Sequence, residues 1–310
     1  MSVKINNKSI SSDDDAFMVR RAKDHFRKIE ADLWDYSDSI LMWNKKGVEA
    51  YISLNDHTHY SMQTAYPEKK LLDACIPIIS KIISPSTIFI ELGPGTAEKT
   101  VDFLKKILSK SHTGLYYGVE ISKTMAKIAS QTLSKNNIEG EIIIDTFDGA
   151  LSHLQTQQNK FVFSLGFTLF NEGMSGLQHI KTAVAHAGTA FFSVEIKDRL
   201  DMQKMEHAYC GQETIPFHQS RLELIELTYG DHVSDLRLEP SCSVSVKVQK
   251  LNSFLLNAGA KIGDRIIIGK SYKPTMQELT DFFENDGFTC NLFDFNGPVI
   301  GVSVSRNGST

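Results

Sequence analysis

Two carboxylates and a pair of glycines are the residues of this chain best suited to chemistry. Glu91 ends an apolar, β-branched run, Ile88-Phe89-Ile90, and is followed by Leu92-Gly93-Pro94-Gly95-Thr96 before a helical pattern begins at Ala97. Glu120 ends the next such run, Leu115-Tyr116-Tyr117-Gly118-Val119. It falls about 25 residues after the glycines, close to where dinucleotide folds place a ribose-binding acid. Glycines let the backbone turn sharply and approach a ligand closely. A carboxylate at the end of the neighbouring strand can accept hydrogen bonds from two vicinal ribose hydroxyls. The loop lacks the third glycine of G-x-G-x-x-G, and nothing matches G-x-x-x-x-G-K-[ST]. What remains fits a ligand with adenosine but no phosphates, and S-adenosylmethionine is the expected cofactor.

Two further strand ends carry polar groups. Asp145-Thr146-Phe147-Asp148 ends the third run. There a carboxylate can accept from an adenine amine and Phe147 can stack on the ring; the competing reading is a helix cap and a core phenylalanine. After the fourth run comes Leu165-Gly166-Phe167-Thr168-Leu169-Phe170-Asn171-Glu172-Gly173. Asn171 is placed for a substrate's polar groups, or is a turn residue before Gly173.

The elements that must position these residues alternate. Strands are expected at 88–92, 115–121, 141–147, 160–166 and 189–196, with helical spacing at 97–109, 122–134 and 174–187. That alternation implies an α/β fold with a parallel sheet covered on both faces. Residues 17–33 and 67–83 read as helices, and 40–66 as an aromatic short-helix and loop segment. Between 199 and 262 the rhythm breaks into a helical stretch to Leu227, a polar stretch, and an alternating run at 241–248 expected to be antiparallel. An apolar run at 264–272, a helix at 275–286 and a last strand at 298–305 follow. The expected division is a disordered tail at 1–16, a cofactor core of 68–200 plus 272–310, and a substrate lobe of 17–67 plus 201–271. An alternative for the tail is that Ser12 and Asp13-Asp14-Asp15 cap the next helix.

Bulk properties exclude several classes. A net charge of −4 argues against nucleic acid as a partner, and no segment is apolar enough for a membrane helix. The four cysteines are scattered, which fits reduced thiols in a cytoplasmic protein. His57-Thr58-His59 lacks zinc-type spacing, so no metal is expected. The expected partner is a small-molecule amine or amino acid, and the expected state a monomer.

Together these segments resemble the histidine-specific methyltransferase family of ergothioneine biosynthesis, which also contains fungal enzymes acting on tryptophan derivatives. Glu91-Leu92-Gly93-Pro94-Gly95-Thr96-Ala97-Glu98-Lys99-Thr100 is similar to the family's Glu-Leu-Gly-Ser-Gly-Thr-(Ser/Ala)-Glu-Lys-Thr. Leu165 to Asn171 looks like Leu-Gly-Ser-Thr-Ile-Gly-Asn, and Ser271-Tyr272-Lys273 like its Ser-Tyr/Cys-Lys element. Tyr60 and Tyr209 fall in its substrate segments.

The resemblance implies a class I methyltransferase sheet, Rossmann-like and mostly parallel with an antiparallel last strand, carrying an inserted α+β substrate domain. It implies cofactor contacts from Glu91, Gly93, Gly95, Thr96, Lys99, Glu120, Asp145, Thr146 and Phe147. Catalytic roles fall on Tyr60, Asn171 and Tyr209, and further substrate contacts on Phe167, Thr168, Leu238, Gly269 and Ser271. It also implies N-methylation in secondary metabolism. The family's imidazole-binding Glu is Gly269 here, and a Met is Leu238. That change removes the group that selects an imidazole and leaves room for a bulkier or apolar acceptor, such as an indole. Other classes consistent with the same residues are a non-catalytic cofactor sensor and a peptide methyltransferase.

Overall fold

The computed structural model describes residues 3–7, 11–108, 113–154, 159–185 and 188–306, without the side chains of Thr58 and His59. The chain divides into two compact units: one of Met1–Ser11, Thr64–Leu200 and Lys273–Thr310, the other of Ser12–Gln63 and Asp201–Tyr272. The strands, in chain order, are β1 (Lys4–Asn7), β2 (Arg27–Lys28), β3 (Leu33–Asp35), β4 (Ile88–Leu92), β5 (Tyr116–Glu120), β6 (Gly140–Ile144) and β7 (Lys160–Ser164). They continue as β8 (Thr189–Glu195), β9 (Val233–Leu238), β10 (Ser243–Val248), β11 (Arg265–Lys270), β12 (Phe288–Phe293) and β13 (Val299–Arg306).

The first unit holds one sheet of order β1-β6-β5-β4-β7-β8-β13-β12. Strands β1 to β8 within it run parallel; β13 runs against β8, and β12, antiparallel to β13, shares the direction of β8. β4 and β7 are buried along nearly their whole length, as a strand covered on both faces must be. Their phenylalanines pack edge to face, Phe89 on Phe161 with centroids 6.0 Å apart and on Phe163 at 6.3 Å. Burial of each such ring contributes roughly 2–3 kcal/mol. Strand order reverses between β4 and β7, so the crevice at their carboxyl ends is where an open α/β sheet takes a ligand. Helix Lys123–Lys135 covers one face; Ser122 caps it by accepting from the Met125 N–H at 3.2 Å, and Met125, Ala126, Ala129 and Leu133 form its buried stripe.

The second unit is a five-stranded sheet of order β2-β3-β11-β10-β9, with helices on it. Its core gathers Met18, Trp34, Tyr36, Leu222, Val244, Val246, Ile266 and Ile268.

Three expectations are corrected, one alternative holds and one strand is added. The tail is not disordered at 4–7, where β1 pairs with β6; Ser130 Oγ donates to the Val3 carbonyl and Ser134 Oγ accepts from its N–H. These polar anchors carry no hydrophobic signature. The alternative holds in its acidic run: Asp14 caps the first helix (Asp15–His25) by accepting from the Phe17 N–H. That helix stops eight residues before the expected end (33 − 25), because Phe26 leaves it to stack on Trp34 at 5.0 Å and meet Phe254 at 5.0 Å. The polar stretch before 241 contains β9, whose alternation is broken by Asp235 at φ 55°. A strand not expected, β12, pairs antiparallel with β13 and so runs with β8, which leaves the last strand as the one opposed to its neighbours, as expected.

Candidate functional site

In the first unit the glycine loop turns directly off β4. The Gly93 N–H donates to the Val119 carbonyl at 3.0 Å, and the Ala97 N–H to the Pro94 carbonyl at 2.9 Å. Gly93 and Gly95 have φ of 75° and 57°, a region that disfavours side chains. A Cβ at Gly95 would meet nothing within 4 Å, so the backbone borders open space; one at Gly93 would lie 3.0 Å from Thr168 Cγ2. The structure therefore packs Thr168, an expected substrate contact, against the glycine loop.

Glu120 sits at the end of β5, and its Oε1 accepts from the N–H groups of Ile121 at 2.9 Å and Ser122 at 3.2 Å. These bonds orient the carboxylate at the head of the next helix. Asp145 ends β6 similarly: its Oδ1 accepts from the Thr146 N–H at 2.8 Å, while Thr146 Oγ1 accepts from the Gly149 N–H at 3.2 Å. Thr146, rather than Asp148, thus caps helix Phe147–Leu154. The half-buried ring of Phe147 meets His179 edge to face at 5.4 Å. Thr96 is half-buried in the loop.

Two expected cofactor residues have partners within the protein. The carboxylate of Glu91 is buried in the core, where it accepts from Thr100 Oγ1 at 2.8 Å and from Tyr116 Oη at 2.6 Å. Burial pushes its pKa up to about 7 against those two hydrogen bonds. Glu91 therefore braces the strand end and the helix after the loop. Lys99 Nζ is 2.5 Å from Glu68, a fully buried carboxylate that also accepts from the Gly166 N–H at 2.6 Å and from Ser193 Oγ.

Gly166 and Phe167 both have positive φ, 79° and 62°, and Glu68 holds the turn that leads to Asn171. The ring of Phe167 is buried, with Lys273 Nζ 5.7 Å from its centroid, and Phe170 packs on Phe192 at 5.9 Å. Both rings stiffen the segment from within instead of lining an open surface. Asn171 is half-buried beside Glu172, which accepts from His179 Nε2 at 3.0 Å; His179 Nδ1 contacts Asp148 at 2.8 Å. Lys273 and Glu195 form an ion pair buried on both sides.

In the second unit the rings of Tyr60 and Tyr209 meet edge to face at 6.1 Å. Strand register sets Leu238, Val244 and Gly269 side by side across β9, β10 and β11. Ser271 follows β11, its N–H donating to the Cys242 carbonyl at 3.1 Å. The room expected at Gly269 is not there: a Cβ on that residue would lie 3.2 Å from Arg221 Nη1. His218 holds the Tyr209 carbonyl through Nε2 at 2.9 Å.

Sequence reasoning missed Glu68, His179 and Arg221. Each lies in a helical stretch that carries no motif, and each acquires its role from residues distant in the chain. Among the described residues no group of three or more His, Cys, Asp or Glu could hold a metal ion, and no helix is long and apolar enough to cross a membrane. The side chain of His59 lies outside the described residues.

The loop geometry fits S-adenosylmethionine. Gly95 borders open space, and Glu120 offers an acceptor group to hydroxyl donors.

A methylthioribose-1-phosphate isomerase of Nematostella vectensis is 26% identical over 173 residues, 53% of this chain and 49% of that protein. The chain thus spans about half the length of this curated relative. Among solved structures, an S-adenosylmethionine-dependent methyltransferase of Clostridium acetobutylicum is 11% identical, with 78% of this chain and 92% of that one covered at a TM-score of 0.46. The CcbJ methyltransferase of Streptomyces caelestis is 14% identical, with 78% and 96% covered at 0.43. Residues 36–233, more than half of the chain, match the family described as histidine-specific methyltransferase, SAM-dependent. The chain belongs to this SAM-dependent methyltransferase family, and S-adenosylmethionine is its cofactor.

Proposed function

We propose that this chain methylates the amino nitrogen of a small amino acid or amine other than histidine. S-adenosylmethionine, when bound, supplies a methyl group on a sulfonium that is already activated for displacement. The protein's work is then to orient the acceptor nitrogen in line and keep water away. An α-ammonium has no lone pair, so it gives up a proton before it attacks. Asn171 offers both an amide oxygen for an amine N–H and an amide N–H for a carboxylate. Tyr209 and Tyr60 supply hydroxyls that can receive the amine's N–H and pass the proton to water. The edge-to-face contact of these two tyrosines supports that pairing.

The observation that carries the reading is Gly269. Selecting an imidazole requires an acceptor for its N–H, and a site without such a partner loses most of its discrimination. The row Leu238, Val244, Gly269 offers no acceptor side chain, and the group next to Gly269 is the guanidinium of Arg221, a donor.

The test incubates purified protein with S-adenosylmethionine and, one at a time, free amino acids and aromatic amines, including histidine and tryptophan. Products are scored by mass, and fragmentation locates the methyl group. The expected result is a gain on nitrogen for a non-imidazole compound. Efficient gain on histidine, or no gain on any small amine despite cofactor binding, contradicts the proposal.

A further inference from the structure

Arg221 lies in helix Ile215–Leu222 and is fully buried, yet its Nε and Nη1 have no hydrogen-bond partner among the described residues. A buried guanidinium without an acceptor is costly, because its charge has lost water and gained no partner. The groups around it offset only part of that cost. Tyr36 donates its hydroxyl to the Arg221 backbone carbonyl at 2.8 Å, not to the side chain. Asp38, the nearby carboxylate, is 2.5 Å from Arg21 Nε and 3.4 Å from His25. Phe217 lies 5.7 Å from the guanidinium carbon. His218, one turn earlier, is buried with its pKa pushed down to about 3 by burial and by the Arg221 charge, so it stays neutral and is no counter-ion to the guanidinium.

The unpartnered side of Arg221 faces Gly269. A Cβ there would meet Arg221 Nη1 at 3.2 Å, and its next neighbours are Arg221 Cζ and Val244 Cβ, both at 3.9 Å. Gly269 lies in the row that also carries Leu238, and Tyr209 packs on the same core. We infer that Arg221 is a specificity-determining residue, and that it receives the side chain of an acceptor amino acid ending in a carboxylate.

The inference rests on the proposed amino-acid methyltransferase reading and narrows its substrate class. An indole N–H is a donor and cannot satisfy a guanidinium, nor can an alkyl side chain. A carboxylate accepts two N–H bonds from the guanidinium edge. Such charge-assisted bonds are about twice as strong as neutral ones, so an amide of the same shape is a poor substitute.

The experiment measures binding and turnover separately. Calorimetry on the full chain, with S-adenosylhomocysteine present, compares L-aspartate, L-glutamate and L-2-aminoadipate with asparagine, glutamine, histidine and tryptophan. The wild-type protein is expected to bind one acidic amino acid at least about 30-fold more tightly than its amide, a ratio that charge-assisted bonding supports. Arg221→Met is expected to reduce that ratio to about 3 or less while S-adenosylhomocysteine affinity stays within about twofold; Arg221→Lys should restore part of the ratio. If no acidic amino acid binds better than its amide on the wild-type protein, the Arg221 inference is overturned whatever the variants do. If an acidic amino acid binds but neither it nor any other free amino acid gains a methyl group, Arg221 recognition stands and the methyltransfer reading falls.

Discussion

The two units carry their proposed sites in different ways. In the first, the cofactor's place comes from short contiguous stretches: a strand, a turn and a helix start hold Gly93, Gly95 and Thr96 together, and Glu120 closes the adjacent strand. In the second, no stretch contains the site. Leu238, Val244 and Gly269 share a row only because three strands pair in one register, and Arg221 reaches that row from a helix. Binding a cofactor common to many chains needs one loop geometry, whereas choosing an acceptor needs a surface assembled from distant residues. Changes in the first region should therefore abolish function, and changes in the second should redirect it.

The largest expected effect is on cofactor affinity. Glu120→Ala removes two charge-assisted hydrogen bonds, each about 1.5–3 kcal/mol, so S-adenosylmethionine should bind at least about 100-fold more weakly by calorimetry. An unchanged affinity breaks the assignment of Glu120.

Next comes Glu91, which should control stability rather than binding. Its folded pKa of about 7 is raised above the ordinary carboxyl value, mainly by burial. Between about pH 4.5 and 7 the unfolded chain is ionised while the folded chain keeps the proton. Stability should therefore fall as pH rises through that window, by up to about 3 kcal/mol. Glu91→Gln should flatten this slope in denaturant unfolding. A slope unchanged in the variant assigns the pH dependence elsewhere.

A redirecting change is Gly269→Glu. The new carboxylate lies beside Arg221 and should pair with it, which weakens binding of acidic amino acids about 30-fold or more without creating efficient histidine methylation. Strong histidine turnover from this single change would show that Arg221 does not occupy the acceptor's side-chain place.

The smallest effect concerns His179. Burial disfavours its charge, but hydrogen bonds and charge from Glu172 and then Asp148 outweigh that and raise its pKa. Its stabilisation is complete below the unfolded value, about pH 6.5, and is lost as pH rises through the higher folded value. Asp148 is largely exposed, so the contribution is under about 1 kcal/mol. His179→Asn should lower the melting temperature slightly at pH 6 and hardly at all at pH 9.

The same contrast explains how much the sequence discloses. The parallel strands and the glycine loop are legible because apolar runs bounded by Gly and polar caps are local signals. β1 and β9 are not, because they are held by polar anchors and an ion pair: Ser130 and Ser134 for β1, and Arg265 on Asp235 for β9. Gly269 is conspicuous as a departure from its family's pattern, but the sequence alone does not show that a guanidinium fills its place. Likewise Glu91 reads as a cofactor contact until Tyr116 and Thr100 are seen to engage its carboxylate.

The central claim is that the family's methyl transfer has been redirected from histidine to another amino acid, with Arg221 choosing it. A competition reaction tests this directly: equimolar histidine, tryptophan, glutamine, glutamate, aspartate and 2-aminoadipate with S-adenosylmethionine, read by mass at early times. The account predicts that an N-methylated acidic amino acid is the main product and that methylated histidine is minor. Methylated histidine as the main product contradicts it.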